Sequence, residues 1–162
     1  MSPSSPIGLT DKARAKVASI LSHVLADELT LSATTRDFYA RVTGPNFHSL
    51  HKLFDDQYRQ LERWLGRIAA RARAIGVGAR AAEAKPTHSN PPLPGTPARK
   101  MVGDLVTLHE QIASRLRDDV RACAGRLGDP STAHELQRLV EFHETTAWML
   151  RMVLDGGCSR PR

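Results

Sequence analysis

The sequence predicts an all-α protein, a four-helix bundle with one long crossover between its second and third helices. Three observations lead there. Four segments place apolar residues at steps of three and four, the spacing of a helix that buries one face. No segment alternates apolar and polar residues as a half-buried strand does. The stretch joining the second segment to the third carries Pro86, Pro91, Pro92, Pro94 and Pro97, which forbid a regular long helix and make a connection much longer than a turn. Two short connections and one long one fit a bundle with a crossover.

The first segment opens at Thr10, a residue type that caps helix N-termini, followed by Asp11, whose charge suits the positive end of the helix dipole. Val17, Leu21, Val24, Glu28, Leu31, Thr35 and Phe38 follow on one face, so this helix is expected to reach about Tyr39. Gly44-Pro45-Asn46 breaks it, with Asn46 as the expected cap of the next helix. Phe47, Leu50, Phe54, Tyr58, Leu61, Leu65 and Ile68 form the second stripe. That is a helix of roughly 30 residues and about 45 Å, closed by Gly76 and Gly78. The crossover occupies residues 77–97. Met101, Leu105, Leu108, Ile112, Leu116 and Val120 make the third stripe, ending near Gly125 and Gly128. Asp129-Pro130-Ser131-Thr132 opens the fourth helix, where Thr132 and Glu135 have the spacing of a capping box. Leu136, Leu139, Val140, His143, Ala147, Leu150, Val153 and Leu154 line its inner face, and Gly156-Gly157 stops it. The expected organisation is a flexible tail over residues 1–9, a single bundle over 10–157, and a short basic tail over 158–162.

Composition narrows the function classes. A chain of 162 residues and 17.8 kDa is one ordinary domain. With 41% hydrophobic and 25% charged residues it is too apolar for wholesale disorder. No run approaches the ~18 apolar residues of a membrane span, and Met1 to Pro6 has neither the cationic start nor the apolar core of a secretory leader. Cys123 and Cys158 form no CxxC pair and no disulfide framework, which favours a reducing cytoplasm. The net charge of +6 favours anionic partners, nucleic acid first. His109-Glu110 and His143-Glu144 lack the second His that metalloprotease chemistry needs, since those positions are Ala113 and Ala147. No phosphate loop, GxSxG or GxGxxG is present.

Two groups of strings point further. The first hairpin contains Leu25-Ala26-Asp27-Glu28-Leu29, then Thr35-Arg36-Asp37-Phe38-Tyr39-Ala40-Arg41-Val42-Thr43-Gly44-Pro45, then Phe47-His48-Ser49-Leu50-His51-Lys52-Leu53-Phe54-Asp55-Asp56-Gln57-Tyr58. The last helix has Gly128-Asp129, Thr132-Ala133 and His143-Glu144-Thr145-Thr146-Ala147-Trp148-Met149-Leu150-Arg151. Over about residues 10–155 the chain resembles the DNA-protection-during-starvation (Dps) family of the ferritin superfamily. The resemblance implies a ferritin-like bundle assembling into a hollow, tetrahedral shell of twelve subunits, in the cytoplasm and in some cases on the nucleoid. Members of that family oxidise ferrous iron, often with peroxide, store the ferric product, and some bind and compact DNA.

The resemblance also locates an iron site between two subunits. The family's first helix supplies a His where this chain has Tyr39. Its second helix supplies a His and, four residues later, an Asp, both retained as His51 and Asp55. Further along, the family has an Asp and a Glu four apart, where this chain has Gly66 and Ala70. Three of the five ligand positions are therefore replaced. Iron in an oxygen-rich site needs carboxylates to offset its charge, so the losses predict reduced or absent ferroxidase activity and weak or absent iron at this site. Tyr39 could ligate ferric iron as a phenolate. His51 and Asp55, at i and i+4, share one helix face and could converge on a cation, or could simply pair at a subunit contact. An ordinary ferritin centre inside the bundle needs a Glu followed three residues later by His, and the chain contains no such pair.

Arg59, Arg63, Arg67 and Arg71 step by four along the second helix. They read either as a solvated face or as a strip that follows DNA phosphates without reading bases. Arg160 and Arg162 add a short basic end, which twelve copies would multiply. Three functions follow as expectations. One is iron oxidation and storage with His51, Asp55 and Tyr39 as residual ligands. A second is a nucleoid shell holding DNA through Arg63, Arg67, Arg71, Arg160 and Arg162. The third is a repurposed cage with neither activity.

Overall fold

A computed structural model describes residues 8–76 and 95–156. They form four helices: α1 (Asp11–Arg41), α2 (Phe47–Ala74), α3 (Ala98–Ala124) and α4 (Pro130–Gly156). Among the described residues there is no strand, and no helix is long and apolar enough to cross a membrane. Residues 1–7 of the expected first tail, all of the last tail, Gly78, Gly157 and most of the crossover lie outside the described residues.

The ends of the helices follow local chemistry. Thr10 is extended, and its hydroxyl accepts a hydrogen bond from the Ala13 amide at 3.2 Å, as its residue type predicts. Val42 then turns extended and Gly44 takes φ +105°, a left-handed conformation that a side chain resists, so α1 ends there. Asn46 occupies the cap position of α2, but its side chain makes no capping bond. The start of α4 corrects the expected capping box. Asp129, not Thr132, is the cap: its Oδ1 accepts the Thr132 amide at 3.0 Å and its Oδ2 the Thr132 hydroxyl at 2.5 Å. The reason is Pro130, which fits the first helical position because the amide it lacks would have no partner there. Thr132 is thereby carried inside the helix, and Glu135 turns away to meet Arg67.

α1 pairs with α2, and α3 with α4, as two antiparallel hairpins. Ser32 meets Glu62 and Phe38 meets Phe54, so numbers rise along one helix as they fall along the other. Glu110 meets Arg151 and Arg117 meets Glu144 in the same sense. α2 also runs antiparallel to α4, since Trp64 packs on Phe142 while Arg71 bonds Asp129. α2 and α3 are therefore parallel. The end of one and the start of the other lie at opposite ends of the bundle, which is the crossover topology the sequence predicts.

The core runs the length of this arrangement. Leu21, Leu31, Phe38, Phe54, Leu61, Ile68, Leu105, Leu116, Leu136, Leu139 and Leu150 are its largest buried residues. Removing an aromatic of that depth costs about 3–5 kcal/mol. Two stripes drift from expectation. On α2, Gln57 is buried rather than Tyr58, and on α3, His109 is buried where Leu108 is only partly covered. In both cases the helix places a polar residue on the inward line and turns its apolar neighbour towards the edge.

Candidate metal centre and basic surface

The residual iron-site positions gather where α1 ends and α2 begins. The Tyr39 and His51 rings stack with centroids 4.0 Å apart, and the Phe47 ring lies 4.9 Å from His51 on another side. His51 Nδ1 donates to the Tyr39 carbonyl at 3.1 Å. A carbonyl only accepts, so Nδ1 carries the proton and Nε2 of the neutral ring keeps its lone pair. That is the tautomer a metal-binding His adopts when a backbone oxygen orients it. Asp55 is one turn further on, but its Oδ2 accepts from Arg59 Nε at 2.9 Å, so a cation would compete with a guanidinium for it.

Gly66 and Ala70 continue the same face of α2 and offer no side-chain donor. A Cβ built at Gly66 would meet nothing within 4 Å, so the fold of this chain does not exclude a carboxylate there. Among the described residues no three His, Cys, Asp or Glu side chains converge to hold a cation. His51 and Asp55 stand one turn apart on α2, beside a phenol that faces the imidazole as a ring rather than as an oxygen donor.

The basic strip is largely tied down. Arg67 Nη2 bonds Glu135 at 2.7 Å, and its guanidinium lies 4.5 Å from the Trp64 ring centroid. Arg71 bonds the Thr132 hydroxyl and Asp129, both at 2.8 Å, and is 19% exposed. Both side chains join α2 to the start of α4, which leaves them poorly placed for phosphate. Arg59 holds Asp55. Among the described residues, Arg63 is the exposed member of the row without a carboxylate partner. Arg160 and Arg162 lie outside the described residues.

A second polar constellation sits at the centre of the bundle. Glu28, His109 and His143 are fully buried. His143 Nε2 is 2.8 Å from Glu28 Oε1, and the Nδ1 atoms of His143 and His109 are 2.8 Å apart. Among the described residues Glu28 Oε2 and His109 Nε2 find no partner, nor does the buried amide of Gln57. Burial, with a smaller push from His143, holds the His109 imidazole well below its ordinary value. Sequence reading places Glu28 and His143 on inward stripes without joining them. The available signal is an ionisable residue on the apolar stripe of each of two helices, since both stripes line the one core.

Two other shifted groups mark the edges of this layer. Burial raises the Asp119 carboxyl to about 6, against the opposing pull of Arg115. Burial pushes the Cys123 thiol up to about 11, so it is an inert core thiol.

Residues 18–157 match the family described as Ferritin-like domain. A low temperature-induced protein of Nostoc is 36% identical over 162 residues, covering 95% of this chain and 88% of that protein. A DNA protection during starvation protein of Brevibacillus brevis is 27% identical over 142 residues, covering 86% of this chain and 95% of that one. Among solved structures, DpsC from Streptomyces coelicolor is similar with a TM-score of 0.84 and 26% identity, covering 92% of this chain and 89% of that one.

Proposed function

The chain belongs to the ferritin-like family, and from that premise we propose that it is a Dps-like cage subunit. In this reading it binds and stores iron and protects DNA and the cell under starvation or oxidative stress, with ferroxidase activity reduced or lost. The observation that carries the second half is the face of α2. His51 keeps a lone pair in the orientation a cation needs, while Gly66 and Ala70 stand where carboxylates would neutralise the metal. Iron is the substrate here. Its oxidation moves the ion from 2+ to 3+, and a site short of two negative charges stabilises the product least. Exposed Trp148 (59%), Met152 and Leu29 are apolar surface that a homo-oligomer, a dodecamer in this reading, would cover. The cytoplasm, with or without nucleoid association, is the compartment that suits the free thiol and the fold.

Oxidation of Fe(II) by the purified protein, followed by ferric absorbance with peroxide, should barely exceed the uncatalysed rate. A fast, saturable rate would sink the reading. The triple variant Tyr39→His, Gly66→Asp, Ala70→Glu should gain oxidation, and the open space at Gly66 makes that substitution sterically feasible within the chain.

A second reading, non-specific DNA binding, rests on the net charge of +6 and on unpartnered Arg63, with Arg160 and Arg162 as further phosphate contacts. Gel retardation of duplex DNA should occur at low salt and fade steeply as salt rises. Intact oligomers that give no shift at low salt would eliminate it.

A further inference from the structure

The buried chain Glu28–His143–His109 is unused by either the iron or the DNA reading. Its geometry fixes how many protons it can hold. With Glu28 as a carboxylate, which only accepts, His143 Nε2 carries a proton toward Glu28 Oε1. Two ring nitrogens 2.8 Å apart are bonded only if one carries a proton and the other a lone pair. The remaining nitrogen, His109 Nε2, has no partner among the described residues and can be bare or protonated. The closed chain therefore holds two or three ring protons. Two solvated imidazoles in acid hold four. The fourth would set an N–H against an N–H, and one imidazolium against another, in a place without water.

The surroundings offer nothing to accommodate that charge. α1 presents Glu28, already bonded to His143. Its neighbour Asp27 bonds Arg115 of α3 at 2.7 Å. α4 presents Phe142, whose ring packs on both imidazoles, and α2 sends Trp64 against Phe142. No charged group of α2 bonds to the chain among the described residues. Among the described residues no three His, Cys, Asp or Glu side chains are arranged to hold a metal ion, and the species these three groups exchange is the proton. The other polar bonds between the two hairpins, Arg115–Asp27, Arg67–Glu135 and Arg71–Asp129, are guanidinium–carboxylate pairs and contain no imidazole.

We propose that Glu28–His143–His109 is an acid-sensitive latch between the two hairpins: full protonation of both imidazoles, which the closed chain cannot hold, breaks the His109–His143 bond and loosens α1 from α3 and α4 at mid-length. The depressed basicity of His109 agrees in direction. A group whose folded value lies below its unfolded one gains protons on opening, so opening becomes easier as pH falls below about 6.5.

The test is hydrogen–deuterium exchange by mass spectrometry on the full chain, corrected for the intrinsic pH dependence of amide exchange. Between pH 7.5 and 5.5 the opening constant of peptides around Glu28, His109 and His143 should rise at least about tenfold, the value for each extra proton on a solvated imidazole. Peptides across the Phe38–Phe54 contact should change less than about twofold, because the opening is local. His109→Leu should lose the pH dependence whatever its basal exchange. The latch is wrong if the wild-type chain does not respond, if His109→Leu keeps the tenfold rise, or if the Phe38–Phe54 peptides rise equally. Should His109→Leu fail to fold, nitrogen-15 NMR of histidine-labelled wild-type protein decides. A nitrogen–nitrogen coupling across the His109–His143 bond should be present at pH 7.5, and on acidification it should vanish together with protection of α1. Its absence at pH 7.5, or smooth titration of both rings while α1 stays protected, overturns the proposal.

Discussion

Two polar places in this bundle contain histidine and carboxylate, and they obey different rules. The His51–Asp55 face lies on one helix, half-exposed, with contacts drawn from its own hairpin. The Glu28–His143–His109 chain draws one residue from each of three helices and is sealed from water. An exposed pair contributes little to stability, so its members can be exchanged for Gly or Ala without disturbing the fold. A buried set behaves oppositely, because loss of one member strands the others without solvent. The first place is thus free to change with function, while the second is held by the fold.

The comparison is broken most directly at Glu28. Glu28→Ala removes the acceptor of His143 and leaves a buried imidazole pair with no carboxylate. Denaturant unfolding should show a loss of about 3–5 kcal/mol, from a buried donor left without its acceptor and the cavity left behind. A loss under about 1 kcal/mol would mean that the centre relaxes or admits water, and the contrast with the surface site would collapse.

Arg71→Ala comes next. Arg71 is mostly covered, and its partner Asp129 is only 3% exposed, so the substitution strands a carboxylate that also caps α4. About 1–3 kcal/mol should be lost. The acid dependence should shift too. Burial alone would raise the Asp129 carboxyl, but bonds from Thr132 and then Arg71 outweigh it and hold the group below its usual value. Its folded value therefore lies below an unfolded value near ~3.9, so the stabilisation is complete above about pH 4 and disappears as pH falls through the folded value. Arg71→Ala should make that acid slope shallower, and an unchanged slope in urea unfolding between pH 5 and 3 would remove Arg71 from the account.

Helix positions were legible because the apolar stripes are long and the breakers, Gly44 and the prolines before Ala98, are strong. The cap of α4 was misread because Thr132 and Glu135 match a common motif. Only the placement of Pro130 at the first helical position shows that Asp129 does the capping. Arg67 and Arg71 look like a phosphate strip in one dimension, since their acceptors Glu135 and Asp129 stand more than fifty positions away. The same distance hides the central chain, for Glu28 and His143 are separated by 115 positions and meet only when the hairpins pack. The expected loss of iron ligands at Gly66 and Ala70 rests on the sequence pattern alone, because absent side chains need no geometry to be noticed.

The smallest effect expected on the fold is also the sharpest test of the contrast. Asp55→Asn breaks an i,i+4 pair with Arg59, whose side chains are 32% and 69% exposed. Such pairs are worth about 0.3–0.5 kcal/mol, so unfolding should be nearly unchanged. Asn keeps the shape but loses the charge that would attract a cation beside His51 Nε2. Residual binding of Fe(II), or of Zn(II) as a redox-silent stand-in measured by calorimetry, should therefore fall while stability does not. At Glu28 the order reverses, with stability lost and no change in metal binding attributable to His51 and Asp55. If Asp55→Asn instead destabilises the protein by more than about 2 kcal/mol, Asp55 is structural, and the α2 face is no more free to vary than the centre.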